Sequence, residues 1–121
     1  KKKTETPEET QQVLVEKGSL QYKVEEFTDE AVVKISGWAL NRKTLRAGTL
    51  NIVLTGQDKQ QYIVKSERLY RPDVRDAFGK RRLAFAGFEA AFIKQNLPKQ
   101  HYEVSLVLDG DARMVGSIVV A

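Results

Sequence analysis

From Val13 onward the chain alternates apolar and polar residues with a period of two. Leu20, Tyr22 and Val24 alternate with Gln21, Lys23 and Glu25; Val33, Ile35, Gly37 and Ala39 alternate with Lys34, Ser36 and Trp38. Such a period puts every second side chain on one face of a β-strand. Leu50, Ile52 and Leu54 share one face of a third strand, and Tyr62 and Val64 mark a fourth after a turn at Gly56-Gln57-Asp58. Phe88, Ala90 and Phe92 mark a fifth strand. Tyr102, Val104, Leu106 and Leu108 give the clearest alternation, and Met114, Gly116, Ile118 and Val120 complete a seventh strand beyond the turn signal Asp109-Gly110-Asp111. Seven short strands with turns between them predict an all-β fold, an antiparallel β-sandwich.

One segment breaks the pattern. Pro72 suits a first helical position, where no amide hydrogen is needed, and Asp73 suits the positive helix N-terminus. Val74, Ala77 and Phe78 fall on one face, and Gly79 is placed to be a left-handed cap. This predicts a short helix over 72–78, crossing between the sheets and plugging one end of the core. Residues 1–12 carry no apolar residue besides Pro7, and their three lysines face three glutamates. They are expected to be a flexible linker or tail, leaving 13–121 as a single β-sandwich domain. The opening Lys1-Lys2-Lys3, without a Met, reads as the start of an excised fragment.

Charge sharpens the picture at that same helix. Between Arg68 and Arg82 lie six basic residues (Arg68, Arg71, Arg75, Lys80, Arg81, Arg82) and two acids (Asp73, Asp76), a net of +4 that equals the formal charge of the whole 121-residue chain. The pI of about 9.4 permits a polyanionic partner. No apolar run is long enough to span a bilayer. With no cysteine and one histidine, most zinc and iron–sulfur sites are excluded, and no cofactor is expected.

The pattern Ile35-x-Gly37-Trp38-Ala39, Arg71-Pro72-Asp73-Val74-x-x-x-Phe78-Gly79, Ala86-Gly87-Phe88-x-Ala90 and Leu97-x-x-x-x-Tyr102-x-Val104-x-Leu106 resembles an accessory β-sandwich module. Such modules accompany bacterial enzymes of cell-surface glycan assembly, including glycosyltransferases and teichoic-acid polymerases. The likeness covers roughly Leu20 to Ala121. It departs at Lys99-Gln100, where a tight-turn glycine is usual before the tyrosine. The resemblance implies an immunoglobulin-like fold, a non-catalytic role beside a parent catalytic domain, and a place at the bacterial cell envelope or the cytoplasmic face of the membrane. It supplies no ligand-binding motif.

Catalysis finds little support in the residues. His101 begins a strand after a turn, and no nucleophile elbow, phosphate-binding loop or dinucleotide fingerprint occurs. The carboxylate pairs Asp73/Asp76 and Asp109/Asp111 each have a structural reading, in a short helix and at a turn. Calcium at Asp109-Gly110-Asp111 would lack enough oxygen ligands. Trp38 lies on the face opposite Ile35 and Ala39, where it either packs under the helix, the N-terminal segment or a neighbouring domain, or stacks on a sugar ring or an arginine. The arginines either pair with Asp73, Asp76 and Glu67, or recognise the phosphates and carboxylates of an anionic polymer, or bind nucleic acid. Nucleic acid ranks last, because no recognition helix or RNA-binding aromatic signature is present. The expected ligand-binding set is Trp38, Arg68, Arg71, Arg75, Arg81 and Arg82. Its expected ligand is a bacterial surface glycan or anionic cell-wall polymer. The alternative is a protein-interaction, oligomerisation or spacer domain.

Overall fold

Nine strands and one short helix build the fold in the computed structural model, which describes residues 4–121. The strands are β1 (Glu8–Thr10), β2 (Leu20–Asp29), β3 (Val32–Asn41), β4 (Leu50–Gly56), β5 (Gln61–Lys65), β6 (Glu67–Leu69), β7 (Gly87–Ile93), β8 (His101–Leu108) and β9 (Asp111–Val119). They form one sheet in the order β2-β3-β7-β6 and a second in the order β1-β5-β4-β8-β9, with antiparallel pairing throughout. Setting β1 aside, this is the A-B-E-D and C′-C-F-G arrangement of an immunoglobulin-like sandwich. All seven expected strands are present. The two that the alternation missed, β1 and β6, are three residues each, too short to show a period.

The inward faces meet in a core that includes Val33, Ile35, Ile52, Leu54, Phe88, Phe92, Tyr102 and Leu106. Tyr102 is buried, yet its hydroxyl donates to the carbonyl of Pro98 at 2.7 Å. That bond ties the β7–β8 crossover as the tyrosine corner of immunoglobulin-like domains does. It forms although Lys99-Gln100 stands where a glycine was expected. At the other end of β8, Asp109 and Gly110 both have positive φ (51° and 79°), as a two-residue type I′ hairpin turn requires.

A β-bulge at Glu25 shifts the register between β2 and β3, so the inward set passes from Tyr22 and Val24 to Phe27. Gly37 permits it. A Cβ at this position would lie 1.9 Å from the Lys23 carbonyl oxygen, inside backbone that cannot move aside. Gly37→Ala is expected to cost about 2–4 kcal/mol of stability, read as a lower urea midpoint. A loss below about 1 kcal/mol would mean that the strands have room at the bulge.

The helix α1 (Pro72–Phe78) forms where the sequence places it. Gly79 caps it in the left-handed conformation, with Gly79 and Lys80 amides donating to the Asp76 and Arg75 carbonyls. Its position corrects the expected plug. Alternation puts Trp38 and Leu40 on the outer face of the four-stranded sheet, and α1 covers that face. Val74, Leu40, Leu83 and Ala86 form a second small core there, joined by Trp38, Ala47 and Phe78.

The expected tail also needs correction from Thr4 on; its first three residues lie outside the described set. The Glu5 amide donates to the Ala91 carbonyl, and β1 pairs with β5, so the segment bridges both sheets. The Gln12 amide then donates to the Gln61 side chain on β5, and the Val15 carbonyl accepts from Ala112 on β9. Between those anchors the chain passes from β5 at one side of the five-stranded sheet to β9 at the other. Backbone hydrogen bonds need no apolar side chains, so a polar composition concealed this strap.

Candidate binding surface

The six candidate residues divide into three that the fold occupies and three that bear on a surface. Arg68 is the deepest. On β6 its guanidinium turns inward and donates to the backbone carbonyls of Ala39 (2.8 Å), Ala86 (3.3 Å), Gly87 (3.5 Å) and Ala47. Burial pulls its pKa down to about 10, opposed by the charge of Asp109, so it stays protonated at neutral pH. Arg68 thus staples β3, the β3–β4 loop and the start of β7, and it does not belong to an exposed ligand face.

Arg71 is likewise saturated. Its guanidinium forks onto both oxygens of Glu25 (2.6 and 3.0 Å) and both oxygens of Asp73 (each 2.9 Å). Hydrogen bonds to Asp73 and Glu25 raise its pKa, and Arg71 in turn holds Glu25 low and Asp73 down to about 2. This clamp joins the start of α1 to the bulge of β2. Trp38 is half-buried, with its ring edge-on to Phe78 at 6.1 Å between centroids. It follows the packing alternative, under the helix.

The exposed chemistry lies beside these residues. Tyr70, between β6 and α1, and Phe85, just before β7, are 53% and 57% exposed, and their rings stand 5.5 Å apart. Arg75 donates to the Tyr70 hydroxyl at 3.0 Å, pairs with Asp76 at 2.9 Å, and lies 5.8 Å from the Tyr70 ring centroid. It also lines an open depression of about 420 Å³ with Asp76, Gly79, Lys80 and Arg81. The sequence reason is local. Leu83 is fully buried at the end of a 3₁₀ turn (Arg81–Leu83), and anchoring it leaves Lys80, Arg81 and Arg82 exposed. None of these three forms an ion pair among the described residues.

An aromatic pair in water beside unpaired cations can stack on a flat or apolar face and hold a negative group at its rim. Tyr70 and Phe85, like Phe78, lie within or beside the basic cluster in the sequence. What distinguished them from Phe78 is the placement of α1 on the outer sheet face, which covers Phe78 and leaves the pair uncovered.

Elsewhere the chemistry is sparse. A groove of about 460 Å³ at the β4–β5 end is lined by Thr55, Lys59, His101, Glu103 and Ser117, among others. Among the described residues no group of three or more His, Asp or Glu side chains could hold a metal ion, and no helix is long and apolar enough to cross a membrane. Asp111 is fully buried, and its carboxylate accepts from the amides of Lys17 (2.6 Å), Ser19 (2.7 Å) and Leu20 (2.7 Å) and from the Ser19 hydroxyl (3.0 Å). It anchors the chain leading into β2, a structural task that the turn motif did not announce.

The fold and this surface define an immunoglobulin-like sandwich with a small aromatic and cationic face. Comparison with protein families, with curated proteins and with solved structures gave no match.

Proposed function

We propose that this domain is a non-catalytic binding module for an anionic glycan, of the kind carried by bacterial cell envelopes, acting beside a parent catalytic domain. The observation that carries the reading is the exposed Tyr70–Phe85 pair beside Arg75 and the unpaired Arg81 and Arg82. Sugar rings present apolar C–H faces that pack on aromatics, and phosphate or carboxylate substituents match the guanidinium fork. Arg75 is already oriented by Asp76 and Tyr70, which lowers the entropy lost on binding. Arg68 and Arg71 support this face from beneath and beside it.

The test is affinity for a linear acidic polysaccharide measured by calorimetry. A Tyr70→Ala/Phe85→Ala double variant is expected to bind about tenfold more weakly at any salt concentration, since stacking on aromatics depends little on ionic strength. Arg81→Ser/Arg82→Ser is expected to weaken binding mainly at low salt and to flatten its salt dependence. If both variants bind as the unaltered protein does, the face is not the site. The alternative, a protein-docking face, draws on the same aromatic pair, because such anchors also head protein interfaces. It gains if no glycan binds while the pair proves essential for association with the parent enzyme.

A further inference from the structure

We propose that the ligand surface continues from the 3₁₀ turn onto the loop between β3 and β4, so that the domain takes a linear polyanion along several repeats and not a single terminal group. This rests on the binding reading above and extends it. The loop carries Arg42, Lys43 and Arg46 and no acid between Asn41 and Leu50. All three are exposed, and no ion pair joins any of them to a carboxylate among the described residues. Their sequence distance from Arg81 hides the relation. The fold supplies it.

Two contacts place the loop beside the 3₁₀ turn. Ala47 packs into the small outer core that also holds Leu83. The Arg68 guanidinium bonds the Ala47 carbonyl and the Ala86 carbonyl together. The loop and the turn are therefore two arms on one buried scaffold.

The loop is also held in shape. The buried Asn41 side chain accepts from the Lys43 and Thr44 amides at 3.0 and 3.2 Å, and the Leu45 amide donates to the Asn41 carbonyl at 2.7 Å. The nearby carboxylate of Asp109 is engaged, accepting from the Asn41 side chain at 3.1 Å. Its charge also acts on the Arg68 guanidinium. The depression beside Arg81 is open and lined mostly by charge, so it does not enclose a ligand. A compact ligand needs enclosure, whereas spread cations on a fixed frame match regularly repeated negative charge.

The test compares two lengths of linear polyphosphate, about five and about fifty phosphates, binding the whole domain across a salt series. The variant is Arg42→Ser/Lys43→Ser/Arg46→Ser; none of these side chains is buried, and an unchanged urea midpoint confirms its fold. The variant is expected to lose at least about tenfold in affinity for the long chain, with a log–log salt slope smaller by about two, and to bind the short chain unchanged. A variant equal to the unaltered protein on the long chain, or weakened equally on both lengths, overturns the extension and leaves the binding reading standing. Binding to phosphatidylserine vesicles in place of either chain also overturns it, in favour of a lipid surface. Failure of the unaltered protein to bind polyphosphate of either length or any acidic polysaccharide removes the binding reading itself.

Discussion

Asp111→Ala is expected to lower the folding stability by about 3–4 kcal/mol, a large part of what a domain of this size has. The carboxylate satisfies three backbone amides and a hydroxyl in a place closed to water. Removing it leaves those donors buried and unpaired, and each unmade bond costs more than its net contribution when present. Burial alone would push this carboxyl up; the four hydrogen bonds outweigh it and hold the pKa below the ordinary value. The pH dependence follows. The unfolded chain titrates near about 3.9, so the contribution is complete above that pH and is lost as pH falls through the lower folded value. The unaltered protein should therefore lose stability more steeply than the Ala variant does as pH falls below about 4. Urea melts at several pH values read this directly. A loss below about 1 kcal/mol, or parallel acid profiles, would remove Asp111 from this role.

Arg68→Met is the second large effect, at about 3 kcal/mol or more. Methionine replaces the stem of the side chain, and the loss is that of the guanidinium alone. Four backbone carbonyls on three separate segments lose the guanidinium as a donor, the Ala86 carbonyl keeping its bond from the Ala39 amide at 2.9 Å. A charge left unpaired in the core would be costly, but here the arginine already meets acceptors at every nitrogen except Nε. Where the variant is still folded, its affinity for an acidic polysaccharide should match that of the unaltered protein. That contrast with Arg81→Ser/Arg82→Ser separates the arginine that builds the surface from those that make it. A stable Arg68→Met protein with lost binding would return Arg68 to the ligand face.

The sandwich was legible because seven strands carry alternation over most of their length, broken by register shifts in β2 and between β8 and β9, and the helix because Pro72 and Gly79 mark its ends. Its location was not, because Val74 and Phe78 define an apolar face without saying which sheet face it covers. The same gap decided which candidate residues reach the surface. Composition marks Arg68, Arg71 and Arg81 alike as cations; only pairing geometry shows that backbone carbonyls hold the first and carboxylates hold the second. The strap from Thr4 to Lys17 escaped notice because its attachments are made by backbone groups. Asp111 escaped because its role depends on amides more than ninety residues away along the chain. The net charge of the 68–82 segment was a true count, but the cations available to a partner are Lys80, Arg81 and Arg82, with the β3–β4 loop alongside.

We propose that Tyr70, Phe85 and the neighbouring free arginines receive an anionic glycan, and an amide NMR titration of the domain with a linear acidic polysaccharide tests this. Progressive shifts at Tyr70, Arg75, Arg81, Arg82 and Phe85, with little change at His101 and Glu103 in the groove on the other sheet, are the predicted result. Shifts confined to that groove, or none at saturating polymer, would contradict it.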